Sequence, residues 1–286
     1  MRYIYLDTSA IVNLGKFKTE NPWNKIDNLL RNGKYTLLLS TTHMYEFSKG
    51  RKEKDYTAIY LDTLPYIKWV IPPWYIWKEE VKNALNYCIN STKYQFPVFY
   101  DLFFTMYTTV NKKHKKLKYY IGQPTTAGQT IDFFKKGEIY KETEEVAEHC
   151  TKMVRKIREK ALIWQSWKIA LRMQIRDFWP TETAADLRIT RNDSFLDEMM
   201  KVSDFCMPSL VFITQLRRIK WSNKEPIEPN DFIDEFHASY APYCDAIMHD
   251  KATCRRATQT NSEFARKFTN KPEELVKIIE DIDKDI

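Results

Sequence analysis

Several acidic side chains of this sequence stand where an open α/β sheet would gather them. Tyr3-Ile4-Tyr5-Leu6 reads as a short apolar strand that runs straight into Asp7, Thr8 and Ser9. Ligands of such sheets bind in the crevice at the carboxyl ends of the strands. An acid at that point is poorly suited to packing and well suited to holding a metal ion. Tyr35 to Leu39 reads as a second strand, and Ser40-Thr41-Thr42 can cap a helix carrying Glu46. Near the far end of the chain, Asp231 to Ala238 has the character of a helix start, preceded by Pro229 and Asn230 and including Asp234. Pro242 ends that helix, and Cys244 to Asp250 reads as a buried strand closing on an acid. Carboxylates from these four segments would repel one another in a single crevice unless divalent cations neutralised them. Hard oxygen donors of this kind suit Mg2+ or Mn2+.

At Leu6-Asp7-Thr8-Ser9, at Ser40 through Gly50 and from Asp234 to Asp250, the chain resembles PIN-domain nucleases. These are metal-dependent endoribonucleases that include toxins of the VapBC type. The resemblance covers residues 1–90 and 226–286 and implies a three-layer α/β/α fold with a central parallel sheet. Carried over by position, it implies that Asp7, Glu46, Asp234 and Asp250 are the catalytic, metal-binding acids of a hydrolase acting on RNA. Thr8, Ser9, Asp231 and His237 become candidates to support them. Asp231 competes with Asp234 for the third place; Asp234 is preferred because His237 and Ala238 then fall on the helix turn facing the sheet. Asp245 opens its strand and is expected away from the metal. Met248 departs from the family, which places a threonine or serine there. No strand is legible after Asp250, where the sequence is polar as far as a helix-like stretch from Pro272 to Ile282.

The elements that must position these acids alternate over residues 1–90. A charged turn at Arg51 to Asp55 leads to a helix ending near Thr63, then to a strand at Ile67 to Ile71 stopped by Pro72 and Pro73. Trp74 to Tyr87 has helical spacing, with Ile76, Val81 and Leu85 toward the core. Such alternation predicts a parallel sheet with helices on both faces. Residues 91–225 change character: an aromatic stretch from Phe96 to Tyr107, then segments of helical periodicity. We read them as a helical insertion into a discontinuous core of 1–90 and 226–286, and the aromatic stretch as packing.

With 286 residues, 43% hydrophobic and 29% charged, the composition is that of a globular protein with room for a large core. Only 6 glycines are present, and no glycine-rich phosphate loop or dinucleotide fingerprint can be found. The 5 cysteines are scattered without zinc-ligand spacing, which reads as free thiols in a reducing compartment. No signal peptide or run of apolar residues long enough to cross a membrane is legible, so a soluble, cytoplasmic protein without a membrane partner is expected.

The net charge of +7 is compatible with a polyanionic partner. Lys112, Lys113, Lys115 and Lys116, interleaved with His114 and followed by Tyr119 and Tyr120, are candidates to grip a nucleic-acid backbone, as are Arg217 and Arg218. His43 lies three residues before Glu46 and His237 three after Asp234, so each can share a helix face with its acid. His249 adjoins Asp250, but alternation along a strand turns it away. Supporting or surface roles are expected for these rings, ahead of a zinc site. The resemblance leaves room for a regulatory or inhibitory protein partner in the cleft. The rival functions are a catalytically weak PIN-like scaffold that binds RNA or protein, and a haloacid-dehalogenase-type phosphohydrolase. The latter ranks low because Ser9 stands where its second aspartate belongs.

Overall fold

A computed structural model describes residues 2–49, 53–93, 95–96, 98–103, 105–106, 125–136, 145–149, 151–152, 166–186, 191–223 and 228–284. The chain opens with β1 (Arg2–Leu6), α1 (Thr8–Phe17), α2 (Trp23–Arg31) and β2 (Tyr35–Ser40). There follow α3 (Thr41–Lys49), α4 (Glu53–Asp62), β3 (Ile67–Val70) and α5 (Pro73–Asn90). The middle of the chain supplies β4 (Phe99–Tyr100), α6 (Ala127–Lys136), α7 (Trp167–Asp177), α8 (Thr181–Asp186), α9 (Asp193–Lys201), α10 (Ser203–Cys206) and α11 (Pro208–Ser222). The last stretch gives α12 (Pro229–Ala238), β5 (Ala246–Met248), α13 (Lys251–Thr258), β6 (Phe268–Thr269) and α14 (Pro272–Lys284).

These strands form one sheet in the order β4-β3-β2-β1-β5-β6. All pairs are parallel except β3 with β4. Every residue of β2 is buried, so its two faces are both covered. That burial explains its unbroken Leu37-Leu38-Leu39 run, and it is compatible with a three-layer α/β/α arrangement. Ile76, Val81 and Leu85 of α5 are fully buried, as their spacing predicts. Phe103, Met106, Ile131, Leu171 and Leu210, from the middle of the chain, join the same apolar core as Ile4 and Leu37. Each such side chain stabilises the fold by about 1.5–3 kcal/mol when fully buried.

Register decides where the functional candidates emerge. Leu6 pairs with Met248, and the Asp7 amide donates to the Met248 carbonyl at 2.9 Å. Asp7 and the His249-Asp250 pair therefore leave the sheet side by side. Asp245 lies at the opposite end of β5, where its carboxylate accepts from the Tyr3 amide at 2.6 Å.

Two expectations need correction. A strand does follow Asp250: β6 pairs in parallel with Ile247 and Met248. At two residues it is too short for periodicity to reveal. The strand expected over Cys244 to Asp250 is only Ala246–Met248, and Asp250 is the N-cap of α13 rather than a strand residue.

Buried polar contacts tie α11 to its neighbours. Glu80 of α5, itself 1% exposed, accepts from the Ser209 and Leu210 amides at the start of α11, each at 2.9 Å, and from the Tyr243 hydroxyl at 2.7 Å. Farther along α11, Arg217 pairs with Glu235 at 2.6 Å and Lys220 pairs with Asp231. Both partners lie on α12, the helix that presents Asp234. Four cysteines, Cys88, Cys206, Cys244 and Cys254, are free thiols; Cys150 lies outside the described residues.

Candidate metal centre

The acid at the end of β1 has two tasks at once. Asp7 Oδ1 caps α1, accepting from the Ala10 amide at 2.8 Å and the Ser9 hydroxyl at 2.9 Å. Its Oδ2 turns the other way, 3.8 Å from Nδ1 of His249. Asp250 repeats this division at the end of β5: Oδ1 accepts from the Ala252 and Thr253 amides at 2.7 and 3.0 Å. Its Oδ2 lies 2.6 Å from His249 Nδ1. Asp234 comes from the first turns of α12, and its backbone carbonyl accepts from His249 Nε2 at 3.0 Å. Ligand atoms of Asp234, His249 and Asp250 all lie within 4.8 Å of one another.

Glu46 reaches the same region from α3. Its Oε2 accepts from the Thr8 hydroxyl and from His237 Nε2 at 2.8 Å. Burial alone would raise this carboxyl, but the His237 ring and the Thr8 hydroxyl outweigh it and hold it down at about 2. The carboxyl of Asp234 is pushed up to about 6, by burial first and then by the charges of Asp250 and Glu46. Asp234 thus senses the charges of Asp250 and Glu46.

His249 corrects the expectation that it faces away from Asp250. The alternation rule fails because the strand ends at Met248, before both residues. Two contacts make opposite demands on Nδ1. The Asp250 amide, 2.7 Å away, needs a lone pair, whereas the Asp250 carboxylate needs a proton. We assign the proton, since three carboxylates face the ring. Burial disfavours the imidazolium, yet Asp250, Asp7 and Asp234 together push its pKa up to about 9. The same contact holds Asp250 well below the usual carboxylate range against the effect of burial. Among the described residues, the buried Asp250 Oδ2 finds no hydrogen-bond donor apart from this ring. The His249 proton thus offsets part of the negative charge that Asp250, Asp7 and Asp234 turn toward the ring.

The spacing allows each histidine to share a helix face with the acid on its own helix. Neither bonds that acid in the fold. His237, three residues after Asp234, bonds Glu46 of α3. His43, three residues before Glu46, bonds the Leu6 carbonyl through Nε2 at 2.7 Å, while its Nδ1 accepts from the Ser40 amide at 3.0 Å. Burial lowers the pKa of that ring to about 3, so it is neutral and ties the end of β1 to α3. The rings of His43 and His237 lie 4.9 Å apart, and those of His237 and His249 5.8 Å apart. No spacing rule would have found this cluster.

Other candidates sit elsewhere. Asp231 accepts from the Glu228 amide at 2.7 Å and pairs with Lys220, so it starts α12 and does not join Asp234. Arg217 is 5% exposed and bound to Glu235; it is held inside the fold and is not presented to a nucleic-acid backbone. Arg218 is exposed and lines a cavity of about 380 Å³ with Trp167, Gln215 and Phe264. None of the four clustered acids lines that cavity. Lys112, Lys113, Lys115 and Lys116 lie outside the described residues.

The donor set fits a hard divalent cation: carboxylate oxygens from two strand ends and a helix, one of them lacking a hydrogen-bond donor beyond a single ring. No helix among the described residues is long and apolar enough to cross a membrane. No family model, curated protein or solved structure matches the chain.

Proposed function

We propose that the chain is a PIN-type nuclease that hydrolyses RNA phosphodiester bonds with Mg2+ or Mn2+. The observation that carries this is convergence. Asp7 and Asp250, at neighbouring strand ends of a mostly parallel sheet, face the His249 ring, which also bonds the Asp234 backbone, and Glu46 joins from α3 through Thr8 and His237. Packing gives no reason to gather four acids there, since their repulsion destabilises the fold.

Asp7, Asp234 and Asp250 would hold the cation, with Glu46 completing the set from α3. When bound, such an ion supplies Lewis acidity at the scissile phosphate and acidifies water. The chain's own groups do the rest. The backbone amides at the starts of α1 and α13 fix one oxygen of Asp7 and one of Asp250, leaving little freedom for either carboxylate to swing. Thr8 orients Glu46, and His249 is the internal counter-charge that the cation would replace.

The test is cleavage of RNA and single-stranded DNA with Mn2+, comparing wild type, Asp7→Asn and Asp250→Asn, with a chelator control. Metal-dependent cutting of RNA that is lost in both variants is the expected result. A folded wild type that binds RNA but cuts nothing would replace this proposal with a binding scaffold.

A further inference from the structure

Behind Glu46 runs a chain of buried hydrogen bonds that reaches away from the cleft. Glu46 Oε2 accepts from His237 Nε2 at 2.8 Å. His237 Nδ1 lies 2.6 Å from the Tyr5 hydroxyl, and that hydroxyl lies 3.0 Å from Ser40 Oγ. Tyr5 and Ser40 are fully buried and His237 is 1% exposed; the Glu46 side chain, at 33%, is the one that reaches solvent. Each group comes from a different element: Ser40 from β2, Tyr5 from β1, His237 from α12 and Glu46 from α3.

Donor and acceptor chemistry fixes the direction of the chain. An ionised carboxylate only accepts, so Nε2 of His237 must carry the proton that faces Glu46. In the neutral ring Nδ1 is then an acceptor, filled by the Tyr5 hydroxyl, whose oxygen is left to accept from the Ser40 hydroxyl, which also lies 3.1 Å from His43 Nδ1. The Tyr5 phenol is kept protonated by its burial. Apolar residues of similar shape at positions 5 and 237 would pack without the penalty of burying polar groups. The chain's visible result is the aim of one carboxylate.

We propose that Tyr5 and His237 are positioning residues that set the orientation of Glu46 toward the cation; this rests on the metal-centre reading above. Partners that hydrogen-bond a metal ligand from behind typically contribute about 10–100-fold to metal affinity. His237 is the direct partner and carries the larger share. Tyr5 acts through the tautomer of His237 and carries the smaller one.

The experiment is Mn2+ titration followed by the electron paramagnetic resonance of the free ion. It is run on wild type, His237→Leu, His237→Gln and Tyr5→Phe, with circular dichroism melts on each. His237→Leu is expected to weaken Mn2+ binding about 10–100-fold. His237→Gln restores most of that affinity, because the glutamine amide can reach the place of Nε2. Tyr5→Phe, which removes one oxygen, weakens binding several-fold and carries the test if His237→Leu fails to fold. The 15N shifts of His237 in metal-free wild type give an independent reading: a proton on Nε2 is expected, and a neutral ring protonated on Nδ1 would overturn the proposal. Wild-type affinity in folded His237→Leu and Tyr5→Phe would overturn it too, while leaving the metal centre standing. Absence of Mn2+ binding by wild type would remove the metal centre itself.

Discussion

Replacing Glu80 by glutamine should change how the stability of this protein responds to pH. Glu80 is buried between α5 and the first turn of α11, where it accepts from two amides and the Tyr243 hydroxyl. Burial pushes its carboxyl from the ordinary 4.5 up to about 7, against the pull of those three donors. A difference of that size corresponds to about 3 kcal/mol. The start of α11 favours a negative charge by about 0.3–1 kcal/mol, so about 2–3 kcal/mol is the working figure. A folded-state pKa above the unfolded one means that the native protein binds the extra proton. The stabilisation is therefore complete below about 4.5, and it is lost as pH rises through about 7. Glutamine cannot ionise, and its amide group meets a backbone donor at every pH, which adds a constant offset. Urea unfolding at closely spaced pH values from 5 to 8 measures the difference between the two proteins. That difference should move in favour of the variant by about 2–3 kcal/mol across this range. Parallel stability curves would mean that the donors outweigh burial and that the Glu80 carboxyl is not raised in the fold. The contact matters to the cleft because α11 in turn clamps the helix carrying Asp234.

Two further perturbations probe the same architecture. Arg217→Met leaves Glu235 charged and buried, and urea unfolding should register a loss of about 3–5 kcal/mol; combining it with Glu235→Leu should recover most of the loss. Asp234→Asn should stabilise the protein in chelator above pH 6, because the native carboxyl titrates at about 6 rather than 3.8 and its contribution is lost as pH rises through that value. Discounted for its partial exposure, the gain is about 1–2 kcal/mol, or about 2–4 °C in Tm, and it should vanish below pH 4.

What the sequence made legible is what local rules govern. β2 could be read from Leu37-Leu38-Leu39 and α5 from Ile76, Val81 and Leu85, because burial periodicity is a local property. Asp7 and Asp250 stand out because each ends an apolar run in the order of the resembling family, although each also caps the helix that follows it. His237 was legible as a supporting residue, but the partners of the histidines were not, because register and helix packing set them: His237 meets Glu46 across 191 positions of sequence. His249 was misjudged because β5 ends at Met248, so strand alternation governs neither His249 nor Asp250. Arg217 and Arg218 look alike in sequence, yet a facing Glu235 takes one inside and leaves the other exposed. β6 is too short to leave a periodic signal.

Acids from both ends of the chain are proposed to form one cation site, and calorimetric Mn2+ titration of wild type, Asp7→Asn, Glu46→Gln, Asp234→Asn and Asp250→Asn examines that sharing. Wild type should bind, and each substitution should weaken binding by about 10-fold or more. Wild-type affinity in folded Asp7→Asn or folded Asp250→Asn would contradict a shared site, and a wild type that takes up no Mn2+ would contradict the site altogether.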